Sequence, residues 1–190
     1  MKSRSMLCAL AAGVAAVVSF AAAPDAGAQA KKQVKISHAT AADVAKLELT
    51  DAVLKESLRL YPPAYMIGRE ATRPVRLGPW ELPAKTTVLM SIWGMHHDAR
   101  FFPDPEAFRP ERWLDGSTSG LPKWVYQPFG GGPRVCVGNH FAMMESVLVL
   151  AALLRRARYE LVSRTPPKLQ MAITMRPVDG LPMRVRLRDR

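Results

Sequence analysis

Apolar side chains recur about one helical turn apart in two segments of the chain. The first lies between residues 51 and 60, where this spacing predicts an amphipathic helix that ends before Pro62 and Pro63. The second runs from Asn139 to about Arg156 and predicts the longest helix of the chain. The apolar positions that carry these predictions are Val53, Leu54, Leu58 and Leu60, followed by Met144, Val147, Leu148, Ala151 and Leu154.

Short apolar runs bounded by turn residues predict strands elsewhere. Gly78 and Pro79 separate residues 75–77 from residues 80–82, an arrangement that predicts a hairpin. A further strand is expected at residues 88–92, a proline-punctuated loop at residues 101–113, and one small sheet in the tail, from residues 159–162, 169–175 and 183–187. Together with the helices, these strands predict one mixed domain.

The N-terminal 30 residues have the pattern of a secretory signal. Lys2 and Arg4 precede an apolar run over residues 6–23, and residues 28–30, Ala-Gln-Ala, form a small-x-small cleavage site. We therefore expect a signal peptide at residues 1–30 and export to the periplasm or secretion. The alternative is a short membrane anchor, if the signal is not cleaved. Cleavage would leave Cys136 as the only cysteine, which excludes an intramolecular disulfide.

The formal net charge of +11 raises the question of an anionic partner. Nucleic-acid binding proteins concentrate basic residues on one face, commonly with a recognisable motif. The arginines here are instead scattered through predicted strands and loops, without interleaved aromatic residues. We therefore predict no nucleic-acid partner.

Cys136 lies in a glycine-rich turn just ahead of the second predicted helix. Arg134 is two residues away, and a nearby cation and a helix N-terminus both favour the thiolate form of a cysteine. Read alone, this stretch also fits an inert buried cysteine or a simple turn. A phosphate-binding loop is disfavoured because no Gly-Lys-Ser/Thr follows, and a zinc site because no second cysteine is nearby and the histidines lack ligand spacing.

Three motifs resemble those of the cytochrome P-450 family. Residues 129–138 resemble its cysteine loop, through Phe129, Gly132, Arg134, Cys136 and Gly138, and the match continues into Phe141, Ala142 and Glu145. Glu56 to Arg59 resembles the family's Glu-x-x-Arg helix, and residues 108–113 resemble its Pro-Glu-Arg-Phe segment. The resemblance implies a fold that is mainly α with small β-sheets, here its C-terminal, proximal haem-side portion.

The resemblance also assigns roles to individual residues. Cys136 would be the axial ligand of haem b iron, with the amides of Val137 and Gly138 as donors to its sulfur. Arg134 and Arg69 would pair with the haem propionates, because arginine binds carboxylates in a bidentate manner. Glu56, Arg59 and Arg112 would form a buried structural triad. His96 and His97 are interpreted as turn or propionate-side residues, not as iron ligands.

The resemblance covers residues 47–190, about the C-terminal third of a complete family member. The oxygen-activating helix is not found, so the predicted function is a truncated haem monooxygenase with a small organic substrate and a ferredoxin, flavodoxin or reductase as electron donor. Residues 31–40 resemble the first strand of a periplasmic solute-binding protein, and residues 31–46 are expected to be a stub of separate origin. The family resemblance implies the cytoplasm, in conflict with the signal.

Two alternatives remain open at this point. One is a catalytically inactive, exported fragment that binds haem. The other is a basic interaction module that binds none.

Overall fold

The computed structural model describes residues 40–163 and 165–188. The expected signal peptide at residues 1–30 and most of the expected stub at residues 31–46 lie outside the described residues. Three α-helices and eight short strands make up the regular structure of the described part, together with three 3₁₀ turns. The combination of helices and small sheets agrees with the sequence prediction.

Helix α1 (Glu48–Leu60) corresponds to the first predicted helix. It begins one turn earlier than predicted. Glu48 and Asp51 lie in its first turn, where acidic side chains interact favourably with the helix dipole. It ends at Leu60, and its C-cap Tyr61 directly precedes the two prolines. Its buried apolar face consists of Ala52, Val53, Leu54 and Leu60.

Helix α3 (Asn139–Arg156) has the predicted bounds and packs against α1. Val147 and Leu150 of α3 and Val53 and Leu54 of α1 form the buried core cluster. Half-buried side chains from the flanking segments complete it, among them Val44, Leu47, Phe108, Tyr159, Leu161 and Met183. The two predicted helices thus build the core. The C-terminal end of α1 carries Glu56 and Arg59, and the N-terminal end of α3 directly follows the cysteine loop.

The strands pair into four antiparallel two-stranded sheets. Met66–Glu70 (β1) pairs with Thr87–Ser91 (β4), and Val75–Leu77 (β2) pairs with Trp80–Leu82 (β3). Ala157–Leu161 (β5) pairs with Met183–Leu187 (β8), and Leu169–Met171 (β6) pairs with Met175–Pro177 (β7). The predicted β2–β3 hairpin is confirmed, with Gly78 at a φ of 60° that favours glycine.

Two strand predictions need correction. The tail forms two separate sheets, not one, because residues 169–175 turn back on themselves as the β6–β7 hairpin. The predicted strand at residues 88–92 lies one residue earlier, and its partner β1 was not predicted. β1 contains Gly68 and exposes most of its side chains, so it lacks the apolar alternation that marks a half-buried strand.

Between β4 and α3 the chain is largely irregular and contains one short helix and two 3₁₀ turns. Helix α2 (Ile92–His96) follows β4 directly, and the predicted loop at residues 101–113 ends in a 3₁₀ turn, Pro110–Trp113. A second 3₁₀ turn, Gly132–Arg134, lies in the cysteine loop. A third, Ala41–Lys46, brings Val44 against the α1–α3 core.

None of the helices in the described ranges is long and apolar enough to span a membrane.

Candidate functional site

The first group of predicted site residues lies at the end of α1 and in the Pro110–Trp113 turn. Glu56 and Arg59 are fully buried, and Arg112 is 3% exposed. Arg59 donates from Nε to Glu56 Oε2 at 3.0 Å and from Nη2 to Glu56 Oε1 at 2.9 Å. Arg112 Nε donates to the same Oε1 at 3.1 Å. The structure therefore brings the three predicted residues into one buried cluster.

Arg59 has no unused donor in this cluster. Besides its two bonds to Glu56, Nη1 donates to the carbonyls of His96 and Pro105 at 2.8 and 2.7 Å, and Nη2 donates to the Ala107 carbonyl at 3.1 Å. All five N–H groups of the guanidinium thus have acceptors. A buried charge is tolerated when it is paired and fully hydrogen-bonded, so Arg59 ties α1 to α2 and to the loop that follows α2.

Glu56 is satisfied to the same degree. Its carboxylate also accepts from the backbone N–H of Arg109 at 2.9 Å and from Trp113 Nε1 at 3.0 Å. Burial by itself raises the pKa of Glu56, but the hydrogen bonds from Arg59 and Arg109 and the positive charges of Arg59 and Arg112 outweigh it, and the net effect is a lowered pKa. The side chain is therefore held ionised.

The second group lies in the cysteine loop, residues 129–138. The Cys136 N–H donates to the Phe129 carbonyl at 3.0 Å and closes the loop, while the Val135 N–H donates to the Gly132 carbonyl at 3.1 Å. Gly130 and Gly132 have φ values of 73° and 69°, a region that side chains rarely adopt. The loop thus requires glycine at these two positions to present the cysteine.

Cys136 is a free, exposed thiol. The family resemblance implies that the amides of Val137 and Gly138 donate to its sulfur. Within residues 40–163 and 165–188, no hydrogen bond reaches Cys136 Sγ; Val137 is fully exposed, and a Cβ added to Gly138 would lie 3.9 Å from the sulfur. The sulfur is therefore available to a ligand.

A cavity of about 390 Å³ lies between this loop and the two helices of the core. Four of the predicted residues contribute to its wall: Cys136, Phe129, Arg134 and Arg69. Gly132 and Gly138 shape the loop but are not part of the wall. The remaining wall is largely apolar and includes Leu54, Leu58 and Pro63 from the α1 side, Ile67 from β1, and Ala142 and Met143 from α3.

Both arginines of the cavity are exposed, in contrast to Arg59 and Arg112. Among the described residues, Arg69 donates only to the neighbouring Gly68 carbonyl, from Nη1 at 2.8 Å. Arg134 has no hydrogen-bond or ion-pair partner in the described part of the chain. Two guanidinium groups without carboxylate partners, beside a free thiol and an apolar wall, match a flat apolar ligand that carries carboxylates and a metal that binds sulfur.

Glu145 adds a polar atom to the same wall. Its Oε2 is buried and has no hydrogen-bond partner among the described residues. Buried polar atoms in native proteins are nearly always satisfied by protein or by ordered water, so this oxygen requires a hydrogen-bond donor. The features that fit a haem with an axial thiolate are the free thiol, the two arginines and the apolar wall.

His96 does not lie where the sequence analysis placed it. It is the last residue of α2, fully buried, and its ring contacts the backbone of Arg59 and Gln127. It is therefore neither a turn residue nor a group beside the cavity, of whose wall it forms no part. The residues next to His96 in the sequence do not predict these contacts, because Arg59 and Gln127 are brought to it only by the tertiary fold.

A free thiol in a loop beside such a cavity is the arrangement expected of a haem-thiolate protein, and comparison with known sequences identifies the family. The Cytochrome P450 family profile matches residues 28–181. This chain therefore belongs to the cytochrome P450 family, which implies a haem cofactor. The matched range includes residues 31–46, for which a separate origin is expected from the sequence. That origin stays a prediction.

Individual relatives are similar over a limited share of their length. Cyclooctatin synthase of Streptomyces melanosporofaciens is 40% identical over 143 residues, which are 74% of this chain and 31% of the relative. Cytochrome P450 9e2 of Blattella germanica is 43% identical over 124 residues, or 63% of this chain and 23% of the relative. The chain thus spans less than a third of the length of these relatives.

Solved structures show the same relationship. Retinoic acid-bound cyanobacterial CYP120A1 superposes with a TM-score of 0.84 at 29% identity, covering 96% of this chain and 42% of that one. CYP175A1 from Thermus thermophilus superposes with a TM-score of 0.73 at 36% identity, with the same coverage. The fold described above is therefore part of the cytochrome P450 fold.

Proposed function

We propose that this chain forms the proximal, haem-binding part of a cytochrome P450 monooxygenase, with Cys136 as the axial ligand of haem b. The observation that carries the proposal is the cavity whose wall contains a free thiol and two exposed arginines. A thiolate on haem iron donates electron density that favours cleavage of the O–O bond of bound oxygen.

The residues of the chain supply what the haem needs for this chemistry. Cys136 would bind the iron as a thiolate, and the closed, glycine-containing loop would hold its sulfur in place. Arg134 and Arg69 would pair with the propionates, and the apolar side chains of α1 and α3 would exclude water from the porphyrin face. The fully bonded cluster around Glu56 would keep the helix under this site rigid.

The reaction of the complete enzyme goes further than these residues. We propose insertion of one oxygen atom from O₂ into a small organic substrate, with electrons from a ferredoxin, a flavodoxin or a reductase. Family membership supports this reaction class. The substrate and the donor are proposals, because the chain spans less than a third of the length of the curated relatives named above.

The proposal is tested by reconstitution of the purified chain with iron protoporphyrin. We expect the reduced, carbon monoxide-bound protein to show the red-shifted Soret band of a haem thiolate, and Cys136→Ser to lose it. In the full, unprocessed chain Cys8→Ser is the matched control, since it removes the only other cysteine of the sequence and should leave the band unchanged. A Cys136→Ser protein with the same red-shifted band, or a chain that takes up no haem, would contradict the proposal.

A further inference from the structure

His96 makes two hydrogen bonds through its ring, both to backbone atoms. Nδ1 lies 3.2 Å from the Arg59 carbonyl oxygen, and Nε2 lies 3.1 Å from the backbone nitrogen of Gln127. A carbonyl can only accept and a backbone N–H can only donate. The proton must therefore be on Nδ1, Nε2 must be an acceptor, and the ring must be neutral.

The ring sits in a site that favours this neutral form. It is fully buried, stacks on Tyr126 with 5.2 Å between the ring centroids, and meets the edge of Phe102. Burial, together with the positive charge of Arg59, lowers the pKa of His96 from 6.5 to about 4, although its backbone hydrogen bond to Arg59 acts in the opposite direction. The Nε2 acceptor is thus retained at neutral pH.

The contact between His96 and α1 is reciprocal. Arg59 donates through Nη1 to the carbonyl of His96, while its own carbonyl, near the end of α1, accepts from the His96 ring. The carbonyls of the last helical turn need such partners from outside the helix. His96 is therefore fixed at both its backbone and its ring before it reaches Gln127.

Gln127 stands two residues before Phe129, whose carbonyl closes the cysteine loop. The Tyr126 hydroxyl donates to the Lys55 carbonyl at 3.0 Å, so residues 126 and 127 are attached to α1 directly and through His96. One of the two connections from α1 to the cysteine loop thus runs through one imidazole nitrogen and one backbone N–H, and the other is the Tyr126–Lys55 hydrogen bond.

We propose that His96 is a positioning residue for the haem-thiolate loop: its Nε2 accepts the Gln127 N–H and so fixes the start of the segment that presents Cys136. This inference rests on the proposed function, since the loop matters only if Cys136 binds haem iron. His96 touches neither the cavity nor the thiol, and acts only through the backbone of Gln127.

Two variants separate this role from simple packing. In His96→Gln the side-chain oxygen can reach the position of Nε2 and accept the Gln127 N–H. In His96→Asn the shorter amide can reach only the position of Nδ1, so the Gln127 N–H loses its acceptor. Both variants lose the aromatic ring and its stacking on Tyr126, so a general loss of packing affects them alike.

The first measurement is amide hydrogen exchange in the full haem-free chain. We expect exchange at Gln127 to be about tenfold faster in His96→Asn than in the original chain, as for the loss of a buried hydrogen bond, and nearly unchanged in His96→Gln. The second is the share of carbon monoxide-bound haem that shows the red-shifted thiolate band. This share should fall in His96→Asn and be restored in His96→Gln.

Equal exchange rates and equal thiolate shares in the two variants would overturn the inference, as would an Asn variant that behaves like the original chain. Failure of the proposed function has a different signature, because the unmodified chain would then lack the thiolate band altogether. The exchange rates at Gln127 would still decide whether His96 holds this segment.

Discussion

Two arginine-containing regions of this chain differ in whether their charged groups have hydrogen-bond partners within the protein. Around Glu56, each guanidinium N–H of Arg59 has a protein acceptor, and the carboxylate accepts from two arginine side chains, an indole and a backbone N–H. Around Cys136, the thiol is free and Arg134 is exposed and lacks a partner among the described residues.

The difference indicates which charges stabilise the fold and which are kept for a ligand. A buried charge that loses its partner is strongly destabilising, so the Glu56 cluster must be complete in the haem-free chain. An exposed arginine without a partner has little effect on the stability of the fold, because water solvates its charge. It is therefore free to pair with the carboxylates of a bound group. Under the proposed function, the group that the loop binds is the haem.

The largest expected effect comes from breaking the buried cluster. Glu56→Gln removes the negative charge and leaves Arg59 and Arg112 buried without a counter-ion. We expect a loss of about 3–5 kcal/mol in the free energy of unfolding, the range for buried pairs that lose one partner. Urea unfolding of the haem-free chain, followed by circular dichroism, measures it.

The chain contains a matched control with the same sequence spacing. Asp43 and Lys46 also form an acid-base pair three residues apart, with 3.2 Å between Lys46 Nζ and Asp43 Oδ1, but the Lys46 side chain is 62% exposed. Lys46→Ala should change the free energy of unfolding by less than about 1 kcal/mol, because exposed ion pairs contribute little. Equal losses in the two variants would mean that burial does not distinguish the regions.

This pair also shows how far the sequence predicts the site. Spacing alone cannot separate Glu56–Arg59 from Asp43–Lys46; the family motif pointed to the former and to Arg112. The amphipathic helices and the β2–β3 hairpin were predictable because local periodicity and turn residues determine them. Strand β1, the β6–β7 turn and the contacts of His96 were not, because they depend on partners distant in sequence.

The next effect concerns pH and the link between the two regions. His96 is neutral in the fold, with a pKa of about 4 against 6.5 for an unperturbed histidine, because it is buried. Between these values the unfolded chain binds more protons than the folded one, so stability falls as pH falls and is fully present above about 6.5. For this residue, we expect a loss of about 2 kcal/mol between pH 7.5 and 5.

The measurement is the free energy of unfolding of the original chain and of His96→Gln across this pH range. Other carboxylates and histidines titrate in both proteins, so the difference between their two pH profiles isolates His96. We expect the variant to be less stable at pH 7.5 and to lose about 2 kcal/mol less on acidification. Parallel profiles would show that His96 is protonated equally in the folded and unfolded chains.

The smallest effect on stability is expected in the cysteine loop. It tests directly whether the charge of Arg134 differs in role from the buried charges around Glu56. Arg134→Ala removes a full charge from an exposed position that has no partner in the described ranges, so the free energy of unfolding of the haem-free chain should change by less than about 0.5 kcal/mol. Haem titration of the same variant should show weaker binding, with partial recovery in Arg134→Lys, which keeps the charge but loses bidentate pairing. A large loss of stability in haem-free Arg134→Ala would mean that Arg134 stabilises the fold, as the buried charges around Glu56 do. Unchanged haem affinity would remove it from the proposed propionate site.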